Sequence, residues 1–250
     1  MVGAMKAGII AAVLLGLAAL VSDASAQAGG GSGPPVVVEL YTSQGCQQCP
    51  RANRLLGMMS HRQNVLALTF PVGIWDYLGW RDTLARPEYA ARQLAFSERM
   101  RVRGRFTPQL VFNGTNQVSA GDWDTAQSIL DDVMNAPRRQ GLPDVSLVRL
   151  RNNRVRVTIG SGVPGAAPAD IWLVAYDPGP VTVVITGGVN INRSVQHFNL
   201  VRTLERVDSW DGTGKWFERA HCDPECAVLV QEPNGGPIIA AAYTYRGQRY

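Results

Sequence analysis

The sequence predicts an α/β domain followed by a smaller all-β domain. Between about residues 35 and 135, apolar runs of strand length alternate with longer amphipathic stretches, which is typical of an α/β unit. After Pro137, turn-forming residues recur every eight to twelve positions with β-branched residues between them, which indicates a small antiparallel sandwich or barrel. A third observation is the pair Cys46 and Cys49, which stands where the first apolar run meets the first amphipathic stretch.

The first 26 residues have the pattern of a secretory signal peptide. Lys6 precedes an apolar stretch over residues 7–21, and Ala24-Ser25-Ala26 forms a typical cleavage site. An uncleaved anchor is the less favoured alternative, because the stretch is shorter than the roughly 20 residues of a spanning helix. We therefore expect cleavage after Ala26, a flexible lead-in over residues 27–34, a periplasmic or secreted location, and no stable membrane insertion after cleavage.

The first region is expected to have the element order β-α-β-α-β-β-α. Its strands are apolar runs, and its helices carry apolar residues at helical spacing. Asn113-Gly114 is a strong hairpin signal, and Asp122 or Asp124 can cap the last helix. The strands are predicted at residues 36–41, 65–72, 109–113 and 117–119, and the helices at residues 50–59, 87–100 and 125–134.

The second region is expected to be antiparallel throughout. Residues 137–144 are the predicted linker between a first domain of residues 35–136 and a β domain of residues 145–250. Asn152-Asn153 and Pro178-Gly179 are predicted as hairpin turns. The strands are predicted at residues 145–150, 154–159, 170–177, 181–186, 195–207, 227–231 and 238–245.

The cysteines indicate redox chemistry or structural disulfides. In a Cys-x-x-Cys pair at a strand-to-helix turn, the first sulfur lies near the unpaired N–H groups of the helix start, where a thiolate is favoured. Cys46 would then attack, and Cys49 would resolve the mixed disulfide. The alternative is a structural disulfide that caps a helix. Cys222 and Cys226 are expected to form a second, local disulfide in an exported protein.

This element order, with Cys-x-x-Cys at its first strand-to-helix turn, resembles a thioredoxin fold. Several segments narrow the resemblance to the DUF1223 family of exported bacterial proteins, which has a thioredoxin-like domain and no assigned biochemical function. The chain departs from the family pattern at Pro71-Val72-Gly73, so a His or Asp role there is not carried over. The resembling segments are residues 37–50, 75–82, 107–109, 192–194, 199–202 and 210–212.

The resemblance implies further site residues. Thr107-Pro108 fits a cis-proline whose neighbouring backbone lies against the redox sulfurs in thioredoxin-like proteins, while a trans proline that starts an edge strand is the alternative. Glu39 stands near the position of a carboxylate that moves a proton to or from the second cysteine, here Cys49. The alternatives are a solvent-facing edge-strand glutamate or a pair with an arginine.

An aromatic loop follows the second predicted strand. Trp75, Tyr77 and Trp80 lie within residues 73–82, on the side where a thioredoxin fold places its active site. They either line a groove for a substrate polypeptide or pack on the second domain. Packing is the favoured alternative, because Trp and Tyr commonly bury most of their surface.

The sequence favours thiol–disulfide exchange with the thiols or disulfides of other exported proteins. One alternative is a non-enzymatic exported binding or scaffold protein with structural disulfides. A weaker one is a copper or zinc carrier that uses either Cys46 and Cys49 or the group His221, Cys222 and Cys226. No cofactor is expected, because the sequence contains no phosphate-binding glycine loop and no His-Glu-x-x-His motif. The scattered net charge of +4 argues against a nucleic-acid partner.

Overall fold

The computed structural model describes residues 33–150, 154–220 and 222–244. The predicted signal peptide and most of the predicted lead-in lie outside these residues. Within them, the chain has a mixed α/β fold with one eight-stranded mixed sheet and one three-stranded antiparallel sheet. No helix of these ranges is long and apolar enough to cross a membrane.

The first part of the chain follows the predicted element order. Asp122 caps the last helix of this part by accepting a hydrogen bond from the Thr125 backbone N–H at 3.2 Å. A short 3-10 helix at Asp76–Leu78, named here the Tyr77 turn, was not among the predicted elements. The other elements are β1 (Val36–Thr42), α1 (Cys49–Met59), β2 (Val65–Pro71), α2 (Pro87–Arg99), β3 (Gln109–Phe112), β4 (Asn116–Ser119) and α3 (Trp123–Asn135).

The second part of the chain is built almost entirely of strands. A 3-10 helix at Gly188–Asn190, named here the Asn190 turn, lies between its two longest strands. The strands are β5 (Val145–Arg149), β6 (Val155–Ile159), β7 (Ala169–Val184), β8 (Ser194–Trp210), β9 (Lys215–Arg219), β10 (Glu225–Gln231) and β11 (Ile238–Tyr243). The predicted turn Asn152-Asn153 and the predicted strand residue Tyr245 lie outside the described residues.

One turn predicted in the second part is wrong, and one strand was not predicted. Pro178-Gly179 is not a hairpin turn but an irregularity inside the single strand β7. There the Gly179 N–H donates to the side chain of Asn199 on β8 at 3.2 Å, which replaces a regular ladder contact. The sequence does not indicate strand β9, because this strand has five residues and its two apolar residues stand between charged ones.

The large sheet runs through both parts of the chain, in the order β11-β10-β7-β8-β2-β1-β3-β4. β2 is parallel to β1 on one side and meets β8, also in parallel, at Thr69 and Leu200 on the other. Asn199 strengthens this junction by donating from its side chain to the Ala67 carbonyl oxygen at 2.9 Å.

The predicted separate sandwich or barrel is therefore not formed. β7, β8, β10 and β11 extend the sheet of the first part, and only β5, β6 and β9 form a second sheet. The physical reason is the burial of β2 along its whole length, since a buried strand edge must have its backbone groups paired. The division of the chain into domains of residues 35–136 and 145–250 remains a prediction.

Helices cover both faces of the sheet, and the alternation along β1 decides which side chain meets which helix. Val36, Val38 and Leu40 pack in the cluster that contains residues of α1 and α3. Val37 and Tyr41 point the other way, into the cluster that contains residues of α2 and of the second part of the chain. Strands of the small sheet pack through a third cluster against β7, β10 and β11.

Candidate functional site

Cys46 and Cys49 form a disulfide at the turn between β1 and α1. Their Cα atoms are 5.3 Å apart, which lies within the range that a disulfide spans. The Cys49 N–H also donates to the Cys46 carbonyl oxygen, at 3.3 Å. Cys46 keeps 7% of its surface exposed, whereas Cys49 is fully buried. Cys46 is therefore the more exposed member of the pair.

The start of α1 favours negative charge beside this disulfide. The N-cap residue is Gln48, whose side chain makes no capping hydrogen bond, and the first turn of the helix contains no acidic residue. The partial positive charge of the helix start is thus not offset by a side chain of its own. A thiolate formed at Cys46 after reduction of the disulfide would be stabilised by this charge.

Gln44 and Asp82 fasten the disulfide turn to the loop that follows β2. The Gln44 N–H donates to the Asp82 carboxylate at 2.7 Å, and the Leu84 and Ala85 N–H groups donate to its other oxygen at 2.9 and 3.1 Å. Burial raises the pKa of the Asp82 carboxyl, and these backbone hydrogen bonds act against the rise. The Gln44 side chain accepts a hydrogen bond from the Trp80 indole at 2.8 Å.

The aromatic residues of this loop have different surroundings. Trp75 lies against Gly45, where an added Cβ would stand 3.0 Å from the Trp75 Cβ. Trp80 packs on the Asn190 turn, where a Cβ on Gly188 would meet the Trp80 Cβ at 3.0 Å. Tyr77 is 74% exposed. Trp80 thus packs on the second part of the chain, whereas the contacts of Trp75 lie within the first part and Tyr77 is exposed to solvent.

The Thr107-Pro108 peptide bond is cis, as the resemblance implied. The Thr107 hydroxyl accepts a hydrogen bond from the Trp75 indole at 2.7 Å, and Trp75 in turn packs on Gly45. Pro108 is buried, and its carbonyl oxygen accepts a hydrogen bond from the Ala120 N–H at 3.0 Å. The structure thus connects Thr107 through one aromatic side chain to the residue that precedes Cys46.

Asn190 is a site residue that the sequence analysis missed. Its side chain is fully buried and donates to the carbonyl oxygens of Gln44 and Cys46, at 2.9 and 2.8 Å. Arg193 holds the amide in place by donating to its oxygen at 3.2 Å. Asn190 and Cys46 are 144 positions apart along the chain. The only local signal is a polar residue between two apolar ones, Val189 and Ile191.

Replacing Asn190 with alanine is expected to lower the free energy of unfolding by about 1–3 kcal/mol, because two buried carbonyl oxygens lose a donor. The measurement is urea unfolding of the oxidised protein. The matched control is Val189→Ala in the same turn, where the side chain is 49% exposed and we expect little change. Equal effects of the two substitutions would contradict a specific tether at Asn190.

Glu39 is buried but is not brought to the cysteines. Its carboxylate forms a two-pronged ion pair with Arg92 of α2, with N–O distances of 2.7 and 2.8 Å, and also accepts a hydrogen bond from the Tyr41 hydroxyl at 2.7 Å. Glu39 alternates with Val38 and Leu40, so it faces away from α1, the helix that carries Cys49. This placement matches the alternative in which Glu39 pairs with an arginine. We assign no proton transfer to Glu39.

Cys222 and Cys226 form the second predicted disulfide, with Cα atoms 5.6 Å apart. Both residues are buried, and Arg149 of β5 donates to the Cys222 and Pro224 carbonyl oxygens at 3.1 and 2.8 Å. These hydrogen bonds therefore hold β5 against the segment that leads into β10. His221, the third member of the predicted metal site, lies outside the described residues. Within the described ranges, no group of three or more His, Cys, Asp or Glu side chains is arranged to hold a metal ion.

Comparison with known proteins finds one family and two similar structures. A family described as "Protein of unknown function (DUF1223)" matches residues 37–231. Protein AGR_C_4864 from Agrobacterium tumefaciens is 29% identical with a TM-score of 0.71, and the match covers 88% of this chain and 99% of that one. HBP35 of Porphyromonas gingivalis shares the fold at 12% identity and a TM-score of 0.63, over 86% of this chain and 76% of that one. No curated protein matches the chain significantly.

Proposed function

The chain belongs to the DUF1223 family, and we propose that it exchanges thiols and disulfides with other exported polypeptides through Cys46 and Cys49. The observation that carries the proposal is the asymmetry of the pair, with Cys46 7% exposed before an uncapped helix start and Cys49 completely buried. The cis peptide bond before Pro108 and the element order of the first part are further support for a thioredoxin-like architecture around this pair.

The proposed exchange needs no cofactor. A substrate thiolate attacks the Cys46 sulfur, the bond between Cys46 and Cys49 breaks, and Cys49 leaves with the electron pair as a thiolate. A second substrate thiolate then attacks the substrate sulfur of the mixed disulfide, and Cys46 leaves. The substrate loses two electrons and forms a disulfide, the cysteine pair gains both electrons, and the thiol protons pass to the released sulfurs through solvent. The same steps in reverse reduce a substrate disulfide.

An exposed apolar rim beside Cys46 supports a polypeptide substrate. Its members lie on the Tyr77 turn, on the Asn190 turn and at the residue that follows the Asn190 turn. The two turns touch each other, and Asn190 donates a hydrogen bond to the Cys46 carbonyl oxygen. Clustered exposed apolar side chains are typical of sites that bind other chains. We propose that these residues contact the segment that carries the substrate cysteine. They are Tyr77, Leu78, Val189 and Ile191, which are 74%, 41%, 49% and 53% exposed.

The location that we propose is the periplasm or the cell exterior. Two disulfides are typical of an oxidising compartment outside the cytoplasm. Residues 1–26 would then act as the signal peptide that the sequence predicts.

Replacing Cys46 with serine is expected to abolish exchange, because no sulfur remains that can be attacked from solvent. The measurement is the rate at which the oxidised protein forms a disulfide in a reduced dithiol peptide, followed by trapping of free thiols. The matched control is the double substitution Cys222→Ser and Cys226→Ser, assayed where circular dichroism shows it folded, and it should keep the wild-type rate. Exchange that persists in Cys46→Ser would contradict the proposal.

The scaffold alternative has one observation in its favour, since only 7% of the Cys46 surface is exposed. The reduction potential of the Cys46–Cys49 pair separates the two functions. We expect a potential above about −300 mV for an exchanger, whereas structural disulfides lie below that value. The potential is measured by equilibration with glutathione and then dithiothreitol buffers, followed by thiol labelling.

A further inference from the structure

A cleft lies beside the disulfide turn and has no role in the exchange chemistry itself. It has a volume of about 650 Å³ and is formed by the loop after β2, the first residues of α2 and the segment before β3. Its charged lining residues are Asp76, Arg81, Asp82, Arg86 and Arg105. The three arginines outnumber the two carboxylates, so the lining has a formal excess of one positive charge, which favours an anion.

The two carboxylates are already occupied by the backbone. Asp82 accepts hydrogen bonds from the N–H groups of Gln44, Leu84 and Ala85, and it is 4% exposed. Asp76 accepts a hydrogen bond from the Asp82 N–H at 3.0 Å. Both acids therefore shape the loop, and neither lies within 4.0 Å of an arginine side-chain nitrogen of the cleft in an ion pair.

Arg81 and Arg105 remain available to a ligand, whereas the Arg86 side chain also contacts the side chain of Tyr89. Across residues 33–150, 154–220 and 222–244, none of the ion pairs includes Arg81, Arg86 or Arg105, and all three residues are exposed. Other arginines of the chain do find acidic partners, as Arg138 does with Asp144 at 2.8 Å. A guanidinium presents its N–H donors in a planar fork that matches the two oxygens of a carboxylate.

The cleft is joined to the disulfide by shared residues. Gly73 and Ile74, which line it, immediately precede Trp75, and Trp75 packs on Gly45 next to Cys46. Arg105 stands two positions before Thr107, which is bonded to the same indole. Asp82 belongs to both sites, because it lines the cleft and its carboxylate accepts a hydrogen bond from the Gln44 N–H of the disulfide turn.

We propose that the cleft binds an acidic side chain of the substrate polypeptide, so that the protein prefers cysteines with a nearby Asp or Glu. This inference rests on the proposed function for its biological meaning. A small free acid could also supply the carboxylate that binds in the cleft, and the experiment separates the two sources.

The test is isothermal titration of the oxidised full chain with two peptides that differ only in flanking residues, glutamate in one and glutamine in the other. Serine replaces cysteine in both peptides, so binding is measured without exchange. We expect the glutamate peptide to bind about tenfold more tightly, in keeping with a charge-assisted contact. Arg81→Gln and Arg105→Gln should each reduce this preference, while the control Arg103→Gln, an exposed arginine outside the cleft, should keep it.

Equal affinity for the two peptides, or a preference that survives both cleft substitutions, would overturn the inference. So would binding of glutarate alone with the affinity of the glutamate peptide, because the cleft would then be a site for free acids. Because the peptides contain no cysteine, these outcomes are independent of the exchange assay with Cys46→Ser. Failure of the cleft and failure of the exchange function are therefore distinguishable.

Discussion

Replacing Arg92 with methionine is expected to lower the free energy of unfolding by about 3–5 kcal/mol, because the Glu39 carboxylate would be left buried without its partner. The side chains of Arg92 and Glu39 are 6% and 1% exposed, so water cannot take the place of the lost guanidinium. Burial acts to lower the pKa of Arg92, but the negative charge and hydrogen bonds of Glu39 outweigh it, so the pKa is raised and the guanidinium stays protonated.

Arg92 also connects elements that are far apart in the sequence. It donates to the side-chain oxygen of Gln231 on β10 at 2.9 Å. Its guanidinium carbon lies 5.0 Å from the ring centre of Phe96 and 5.5 Å from that of Trp172 on β7, within the range of cation–π contacts. Loss of the side chain therefore weakens the packing of α2 on strands from both parts of the chain.

The control for this prediction is Arg99→Met on the same helix. Arg99 is 55% exposed and lies 3.8 Å from the Glu232 carboxylate, so its loss should change stability by about 0–1 kcal/mol. The double substitution Arg92→Met and Glu39→Gln should recover part of the loss, since no unpaired charge is then buried. Urea unfolding of the wild type, of Arg92→Met, of Glu39→Gln and of the double substitution gives the coupling free energy of the pair. A small effect of Arg92→Met alone would show that the pair is not the buried contact described above.

Lowering the pH from 7 to 4 is expected to remove about 3 kcal/mol of stability through His197. His197 lies on β8, is fully buried, and neither of its ring nitrogens has a hydrogen-bond partner of good geometry in the described residues. Burial lowers its pKa to about 4, although the backbone carbonyls of Val181 and Val195 favour the charged ring and act against the shift.

The direction of this pH effect follows from the number of protons that the folded and the unfolded chain bind. In the unfolded chain the imidazole has a pKa of about 6.5, and in the folded chain it stays neutral down to about pH 4. Between these values the unfolded chain binds a proton that the folded chain excludes, so stability is complete above pH 6.5 and falls as the pH drops towards 4.

The measurement is the free energy of unfolding as a function of pH for the wild type and His197→Leu. The variant should lose this part of the pH dependence between pH 6.5 and 4. Val195→Ala, a buried neighbour on the same strand, is the control, because it should lower stability by a similar amount at every pH. An unchanged pH profile in His197→Leu would mean that the ring is not the group responsible.

The features that the sequence alone predicted correctly depend on neighbours within a few positions. The apolar runs and helical spacing up to Asn135 produced the observed element order. Both disulfides join cysteines three or four positions apart, and Asp122 caps a helix that begins at the next residue. Such features follow from local chain geometry, because the partner of each group stands nearby in the sequence.

Tertiary structure decided the features whose partners are distant. The sheet became continuous because β8, far along the chain, covers the edge of β2. Glu39 is paired because α2 brings Arg92 to it from 53 positions away, and Asn190 reaches Cys46 across 144. Alternation along a strand indicates that a residue is buried, but it does not identify the partner on another element. The sequence therefore determined the cysteine pairs and their turn, whereas only the folded chain determined which polar residues surround them.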